Sequence, residues 1–328
     1  YGEPELESNK IETQNLEKQQ TINNKNYHLI SSLDEIDKWI EEAEEVGEVA
    51  VDTETTSLDP HQADLVGISL CSKIGKACYI PVGHNSPKCL KKDAVIKKLK
   101  KILEDPSIKK IGQNIKFDFI VLYKCGITLS SMEDTMLMSY VLDAGKNRHN
   151  MDTLSEIHLG HKTISFKEMV GTGKKEINFS EVELDKAKDY AAEDADVTFR
   201  LYKKFIKNLK SEKMINIYEI FEKPLIKILA FMEIEGVEID SKFLKSLSSK
   251  FEKKIKKLEK EVFKISKKEF NIASPKQLGE IIYNDLKIAG LKKTKKGSFA
   301  TSASVLEDLA FKGHEFPKLV LDWRQVSK

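Results

Sequence analysis

The chain contains 328 residues, with 54 Lys or Arg against 52 Asp or Glu and a net charge of +2. Because 40% of the residues are hydrophobic, the composition excludes a wholly disordered chain, and the length favours two domains. No apolar stretch approaches the roughly 18 residues of a membrane-spanning helix, and the four cysteines lack CxxC spacing, as expected for a cytoplasmic chain without zinc.

The amino terminus is polar, and residues 1–27 predict a flexible tether. The chain begins Tyr-Gly-Glu-Pro-Glu, so we expect no signal peptide, and the missing initiator Met predicts a fragment of a longer protein. Ser32, followed by Glu35 three residues later, predicts the start of a helix.

The next segments alternate between strand and helix patterns. Apolar or alternating residues predict strands at Glu48–Glu54, Asp64–Cys71, Lys76–Val82 and Lys109–Gly112. Amphipathic periodicity predicts helices at Asp93–Leu103, Ile115–Lys124, Glu133–Leu142, Asp152–His158 and Glu181–Leu209. This order of elements predicts an α/β domain over residues 28–210.

A second unit is predicted to begin near Lys223-Pro224 and to be helical. Residues 243–270 predict one long helix with a single apolar stripe, formed by Leu244, Leu247, Phe251, Ile255, Leu258, Val262 and Ile265. Such a stripe on a charged helix needs a partner helix to bury it. Residues 241–328 carry 21 basic and 10 acidic side chains, which indicates either nucleic acid contact or a solvated lysine-rich surface.

The first chemical motif is Asp52-Thr53-Glu54, at the end of a strand with an apolar start. Positions i and i+2 of a strand share one face, so the two carboxylates project together. Two such charges are unfavourable unless a cation lies between them, and oxygen ligands suit Mg²⁺ or Mn²⁺. The D-x-E pattern also occurs by chance at solvated strand ends, so this motif alone does not define a site.

Two further motifs carry acids near helices. In Gly112-Gln-Asn-Ile-Lys-Phe-Asp118, Asn114 is a candidate N-cap and Asp118 lies one turn into the following helix. In the helix around residue 190, Tyr190 and Asp194 stand at i and i+4 on one face. The adjacent small residues Ala191, Ala192 and Ala195 permit close packing on a sheet. Glu193 and Asp196 point elsewhere, and we expect them at the surface or as capping partners.

Together, the three segments resemble the three motifs of the DEDD 3′–5′ exonuclease superfamily, in the form with a tyrosine in the last motif. They are most similar to the proofreading domain of bacterial family A DNA polymerases. The matching motifs are Val51–Asp59, Gly112–Asp118 and Tyr190–Thr198, with further similarity at Asp134-Thr-Met-Leu, Arg148–Asp152 and His161–Phe166. The resemblance implies a ribonuclease H-like domain, a mixed sheet flanked by helices, over residues 28–210.

The resemblance also implies roles for the acidic residues and the tyrosine. Asp52, Glu54 and Asp194 correspond to ligands of one metal ion, and Asp52 and Asp118 to ligands of a second. Tyr190 and Glu54 correspond to the groups that orient the attacking water. All four carboxylates and the tyrosine are present, so the resemblance implies an active enzyme that uses two divalent ions, Mg²⁺ or Mn²⁺.

Five further residues correspond to substrate contacts. Leu58 and Phe166 match apolar residues that pack against the terminal bases of the substrate strand. Gln113, Asn114 and Arg148 match contacts to the phosphate backbone or terminal nucleotide, and for each of these a structural hydrogen bond is the alternative. The implied reaction releases nucleoside 5′-monophosphates from single-stranded or frayed DNA 3′ ends.

Residues 211–328 resemble the first part of a family A polymerase domain, including helices of the thumb, which grips the duplex along its backbone. The palm and fingers motifs are absent, so we expect a truncated polymerase domain without polymerase activity. We also expect a cytoplasmic monomer that binds DNA and acts in replication and repair.

Three alternatives remain open from the sequence. A ribonuclease D-like enzyme acting on RNA has the same carboxylates, although the RNA enzymes carry a different helical domain afterwards. A DNA-binding fragment without catalysis is the second alternative, and complete ligands argue against it. A plain α/β domain with coincidental acids is the third.

Overall fold

The structure is a computed structural model and describes residues 22–288 and 299–328. It divides into two compact units between Gly236 and Val237. Residues 1–21 of the predicted tether lie outside the described residues. The rest of that segment forms a 3₁₀ turn at Asn24–Asn26 and leads into a strand at Tyr27.

The first unit is built on a six-stranded mixed sheet. Its strands are β1 (Tyr27–Leu29), β2 (Glu48–Thr55), β3 (Leu65–Lys73), β4 (Lys76–Pro81), β5 (Lys109–Gly112) and β6 (Met132–Asp134). Their order is β1-β4-β3-β2-β5-β6. Strands β2, β3 and β4 pair antiparallel, whereas β1 on β4, β5 on β2 and β6 on β5 are parallel. Strand β2 is therefore central.

Helices cover both faces of this sheet. They are α1 (Leu33–Val46), α2 (Lys92–Leu103), α3 (Ile115–Lys124), α4 (Thr135–Asp143), α5 (Met151–Leu159), α6 (Phe166–Val170), α7 (Leu184–Ser211), α8 (Ile215–Ile217) and α9 (Lys223–Glu235). Val49 and Val51 of β2 join a core with α1, α2 and α3, whereas Ala50 joins a second core with α4, α5 and α7. This arrangement confirms the predicted α/β class with a mixed sheet.

The structure differs from the sequence prediction at several boundaries. Short strands β1 and β6 were not predicted, because three residues are too few to show a period. The first unit also extends beyond the predicted boundary at residue 210 and past Lys223. Helix α9 belongs to it because Ile226 and Ala230 are buried in its core.

Asp134 holds together the amino ends of two helices. Its carboxylate accepts hydrogen bonds from the backbone of Asn114 (3.1 Å) and Ile115 (3.0 Å) at the start of α3. It also accepts from Met136 (2.9 Å) and Leu137 (3.4 Å) at the start of α4. Burial raises the pKa of Asp134 to about 6, against these hydrogen bonds. One side chain therefore satisfies backbone donors that helix starts leave unpaired.

We predict that Asp134→Ala lowers the free energy of unfolding by about 2–4 kcal/mol. The substitution removes the side-chain acceptor for the backbone N–H groups at the starts of α3 and α4. Urea unfolding followed by circular dichroism measures the change. The control is Asp93→Ala, an exposed first-turn acid of α2, which we expect to cost less than about 0.5 kcal/mol. Equal effects of the two substitutions would contradict the capping role.

The second unit is helical in its described residues. Its helices are α10 (Ser241–Ser266), α11 (Pro275–Glu280), α12 (Ala303–Phe311) and α13 (Glu315–Ser327). Leu258 and Val262 of α10 are buried, and Trp323 of α13 donates to the Glu259 carboxylate at 3.2 Å. Helix α10 ends at Ser266, before the predicted Phe270, because Lys267 adopts the left-handed conformation.

The apolar stripe predicted on α10 divides into two halves. Its carboxyl-terminal half packs in the core of the second unit, around Val262. Its amino-terminal half is exposed in the described structure, with Leu244 and Phe251 nearly half accessible. Among the described residues, no helix is both long and apolar enough to cross a membrane.

Candidate active site

The end of strand β2 sets the direction of the motif Asp52-Thr53-Glu54. Side chains alternate along a strand, so Asp52 and Glu54 fall on the same side as Ala50, which faces α7. Thr53 falls on the opposite side, towards α3. The pairing of β2 with β3 shifts register between Glu54 and Thr55, where the strand ends.

Helix α7 brings the third motif against this sheet. Ala191, Ala192 and Ala195 are fully buried, as the small-residue pattern predicted, and they allow the helix to approach the strands closely. Asp194 then faces the pair on β2. One ligand atom each from Asp52, Glu54 and Asp194 lies within 4.8 Å of the others, a grouping that could hold a metal ion.

Asp118 on α3 approaches from the other face. Its carboxylate accepts hydrogen bonds from the Thr53 backbone N–H (2.9 Å) and the Thr53 hydroxyl (2.5 Å). It lies outside the group of three but close enough for its charge to act on Glu54. Gly112 makes the turn before α3 possible, since an added Cβ would lie 2.7 Å from the Cβ of Ile115.

The surroundings of the four carboxylates raise the pKa of each. Burial is the largest cause for each, and it raises the pKa of Asp52 to about 6. Burial and then the Asp52 charge raise the pKa values of Glu54, Asp118 and Asp194 well above their ordinary range. Without a cation, this site therefore favours partial protonation.

The donor set fits a divalent cation. All the converging ligand atoms are carboxylate oxygens, which suit a hard ion such as Mg²⁺ or Mn²⁺. The Oε1 atom of Glu54 is buried and has no hydrogen-bond partner among the described residues. A buried acceptor without a donor is costly unless another ligand satisfies it, and a cation would do so.

Tyr190 lies beside this group on α7. Its hydroxyl interacts with the Asp194 carboxylate, and this hydrogen bond opposes the rise in the pKa of Asp194. Burial, then the charges of Asp194 and Glu54, raise the pKa of Tyr190 well above its ordinary value. The phenol is therefore neutral and able to donate a hydrogen bond at physiological pH.

Two apolar residues predicted to contact substrate bases lie exposed. Leu58 is 88% accessible and Phe166 is 40% accessible, values that leave both free to pack against a ligand. The Phe166 ring stacks on Phe179 at 6.1 Å and lies 6.3 Å from the ring of Tyr190. Phe179 also lies 5.9 Å from Tyr190 and completes a group of three rings.

The three polar residues predicted to contact substrate differ in their hydrogen bonds and exposure. Both polar atoms of the Gln113 side chain already form hydrogen bonds. Its Nε2 donates to the His149 carbonyl (2.7 Å), and its Oε1 accepts from the Thr135 hydroxyl (2.5 Å). Asn114 is in the left-handed conformation at the start of α3 without a side-chain capping bond, which Asp134 supplies instead. Arg148 is exposed.

Two acids expected at the surface are buried instead. Glu193 is only 6% accessible and bonds to His161 (2.8 Å) and the Ile164 backbone (2.7 Å). Asp196 is fully buried and accepts from Tyr27 (2.9 Å) and Arg200 (3.0 Å). The expectation of a surface position was wrong because, apart from Arg200 one turn along α7, their partners come from distant segments, which helix periodicity does not reveal.

Sequence reasoning also missed three residues around the site. Thr53 was given no role from the sequence, although both its backbone N–H and its hydroxyl donate to the Asp118 carboxylate. Phe179 carried no signal beyond being aromatic, and its place between two other rings depends on tertiary packing. Asp134 falls inside the predicted helix Glu133–Leu142, whereas the structure makes it the N-cap of α4, a role that Asp commonly has.

Comparison with known proteins agrees with this geometry. The 3′-5′ exonuclease family matches residues 27–210, and the DNA polymerase family A matches residues 241–328. DNA polymerase I of Rhizobium leguminosarum is 43% identical over 324 residues, covering 92% of this chain and 32% of that protein. DNA polymerase I of Pseudomonas aeruginosa is 39% identical, covering 89% and 33%. The chain spans about a third of the length of these curated relatives.

A solved structure supports the fold. The POL domain of Pol1 from M. smegmatis, in a complex with DNA primer-template and dNTP, superposes with a TM-score of 0.74. It is 23% identical and covers 92% of this chain and 48% of that chain.

The mixed sheet, its carboxylate group and these matches define a nuclease of the exonuclease class. The chain belongs to the 3′–5′ exonuclease family, in the branch attached to family A DNA polymerases, which confirms the resemblance seen in the motifs.

We predict that Asp52→Asn stabilises the metal-free protein in a pH-dependent way. The folded pKa of Asp52 lies above its ordinary value of 3.8, so its ionisation opposes folding as pH rises from about 4 through about 6. The variant should therefore gain little at pH 3.5 and about 1–3 kcal/mol at pH 7.5, measured by urea unfolding in EDTA. Asp64→Asn, at an exposed acid, is the control and should change neither value. A gain independent of pH would contradict the explanation by the cost of ionising a buried carboxyl group.

Proposed function

We propose that the first unit removes nucleotides from DNA 3′ ends as nucleoside 5′-monophosphates, using two divalent cations, Mg²⁺ or Mn²⁺. The convergence of Asp52, Glu54 and Asp194 on one point supports this proposal most directly. In the proposal, these three carboxylates hold one ion, and Asp52 and Asp118 hold the second. The family match supports cleavage from the 3′ end.

Hydrolysis requires attack of a water oxygen on phosphorus and departure of the 3′ oxygen. Bound divalent ions supply activation of the water and stabilisation of the leaving oxyanion. In the proposal, the neutral Tyr190 hydroxyl and the Glu54 carboxylate orient the water. The neighbouring negative charges that help to raise the pKa values of Glu54 and Asp194 also attract cations to the site.

The substrate end is held by apolar contact in this proposal. Leu58 and Phe166 are accessible side chains that can receive unpaired bases, and stacking on them does not depend on base identity. Splaying the terminal nucleotides requires an unpaired end. The site should therefore favour single-stranded, frayed or mismatched termini over paired ones, as proofreading requires. Arg148, Gln113 and Asn114 remain proposed contacts to the backbone or terminal nucleotide.

The second unit is proposed to contact duplex backbone as part of a polymerase thumb. Its basic balance favours phosphate contact without base readout. Relatives are DNA polymerase I, and one solved neighbour holds DNA primer-template, which supports DNA as the partner and a role in replication and repair. The chain is proposed to act as a cytoplasmic monomer, and we expect no primer extension from these 328 residues alone.

We predict that Asp52→Ala and Asp118→Ala each reduce Mg²⁺-dependent degradation of single-stranded DNA to the level seen in EDTA, because each removes a proposed ligand. Tyr190→Phe should lower kcat by about ten- to a hundredfold, since the water loses one positioning donor. Denaturing gels of a labelled oligonucleotide measure the rates.

The control for these variants is Asp64→Ala, at an exposed acid on the same segment, which should degrade DNA at the wild-type rate. Circular dichroism verifies that each variant is folded. Unchanged turnover in an Asp52/Glu54 double alanine variant would overturn the metal assignment. If Mn²⁺ titration calorimetry detects no binding to the wild type, the non-catalytic DNA-binding alternative is favoured instead.

The RNA alternative predicts a different substrate preference. We predict faster cleavage of DNA than of RNA with the same sequence, and faster cleavage of a primer with a mismatched 3′ end than of its paired counterpart. Rates are compared under single-turnover conditions with and without EDTA. A preference for RNA would favour the ribonuclease D-like reading, and equal rates on mismatched and paired ends would contradict the splayed-end model of binding.

A further inference from the structure

Glu193 places a fifth acid beside the four carboxylates of the site. It is the chain neighbour of Asp194, is only 6% accessible, and its charge contributes to the raised pKa of Asp194. Another buried negative charge at this point is unfavourable for the metal-free fold. The hydrogen bonds that the two carboxylate oxygens of Glu193 accept explain why an acid stands at this position.

Both oxygens of Glu193 hold one loop. His161 Nε2 donates to Oε1 at 2.8 Å, and the Ile164 backbone N–H donates to Oε2 at 2.7 Å. Hydrogen bonds to a charged, buried acceptor are stronger than neutral ones. Glu193 therefore fastens residues 160–165, which we call the clamp loop, directly to α7 at the level of the site.

The clamp loop leads directly to Phe166, one of the two proposed contacts to the substrate bases. Ser165 caps α6 through a reciprocal pair with Glu168, in which both the Ser165 backbone N–H (2.8 Å) and its hydroxyl (2.9 Å) donate to the carboxylate. Phe166 is the first residue of α6. The position of its ring beside Tyr190 is thus set by where the clamp loop ends.

The other anchors of the clamp loop lie on α5, away from Asp194. The Ser155 hydroxyl donates to the His161 carbonyl at 2.8 Å, and the Thr163 hydroxyl donates to Asp152 at 2.9 Å. These bonds hold the loop to α5 but do not connect it to the helix that carries Asp194 and Tyr190. Among the hydrogen bonds of the described residues, those of Glu193 tie the loop to α7 beside those two residues.

We propose that Glu193 is a positioning residue that fixes Phe166 at a set distance from the carboxylate site, so that the terminal base and the scissile phosphate are held together. This inference rests on the proposed exonuclease function. Glu193 does not touch the reacting atoms and acts through the clamp loop. Its loss should therefore weaken capture of the 3′ end more than it slows the chemical step.

The expected result is a separation of KM from kcat. Glu193→Ala should raise KM for a single-stranded oligonucleotide about tenfold, with kcat within about threefold of wild type, because a binding contact shared by ground and transition states is lost. Glu193→Gln should restore KM to within about threefold, since its amide oxygen still accepts from Ile164. His161→Ala, which removes one of the two bonds, should lie between them.

A double-mutant cycle tests the route through Phe166. If Glu193 acts by placing that ring, Glu193→Ala should raise KM less than about twofold in a Phe166→Ala background, against about tenfold alone. Mn²⁺ affinity, measured by calorimetry, should stay within about threefold of wild type in Glu193→Gln. The control is Glu156→Ala, an exposed acid of α5, which should behave as wild type.

Additive effects of Glu193→Ala and Phe166→Ala on KM would overturn the inference, as would an unchanged KM in Glu193→Ala. If Glu193→Ala fails to fold, Glu193→Gln and His161→Ala carry the same test, and a KM in His161→Ala equal to wild type would overturn it. A wild-type chain that shows no Mg²⁺-dependent cleavage would instead overturn the proposed function. The two failures are thereby distinguished.

Discussion

Repulsion among buried carboxylates is the constraint on which this structure depends. Asp52, Glu54 and Asp194 converge within 4.8 Å, and Asp118 lies behind Thr53. Burial raises their pKa values, so the metal-free fold carries an unfavourable cluster that protonation or a cation relieves. Such a cluster persists only if the surrounding structure is stable enough to hold it. The core around the central strand and the doubly used cap at Asp134 provide that stability.

The four acids, which come from three segments distant in sequence, come together because they lie on or against both faces of strand β2. Alternation along β2 sends Asp52 and Glu54 towards α7 and Thr53 towards α3. Each helix then contributes one acid, Asp194 from α7 and Asp118 from α3. Because acids from opposite faces meet only at the end of the strand, the site has to lie where β2 terminates, as ligand sites in α/β sheets commonly do.

The proposed contact to the substrate end lies beside α7, the helix that carries one of the four carboxylates. Tyr190 and Asp194 share a face of α7, and the ring of Phe166 lies 6.3 Å from Tyr190. Glu193, the residue before Asp194, forms hydrogen bonds to the clamp loop, which leads directly to Phe166. Hydrogen bonds from α7 to the segment before Phe166 limit the movement of this proposed base contact relative to the phenol and the proposed ligand on α7, and such fixed positions are what catalysis by positioning requires.

The sequence by itself determined the class of fold, the long helices and strands, and the identity of the four acids and the tyrosine. Period-two and period-3.6 patterns reveal those elements. The four acids and the tyrosine were predicted from the resemblance of their motifs to a known family. Only the tertiary structure decided what each acid contacts. Glu193 bonds to a loop about thirty residues earlier in the chain, and Asp196 bonds to Tyr27 of β1. Phe179 joins a ring cluster, and α9 packs into the first unit. These outcomes depend on contacts between segments that are distant in the chain, and local periodicity does not predict such contacts.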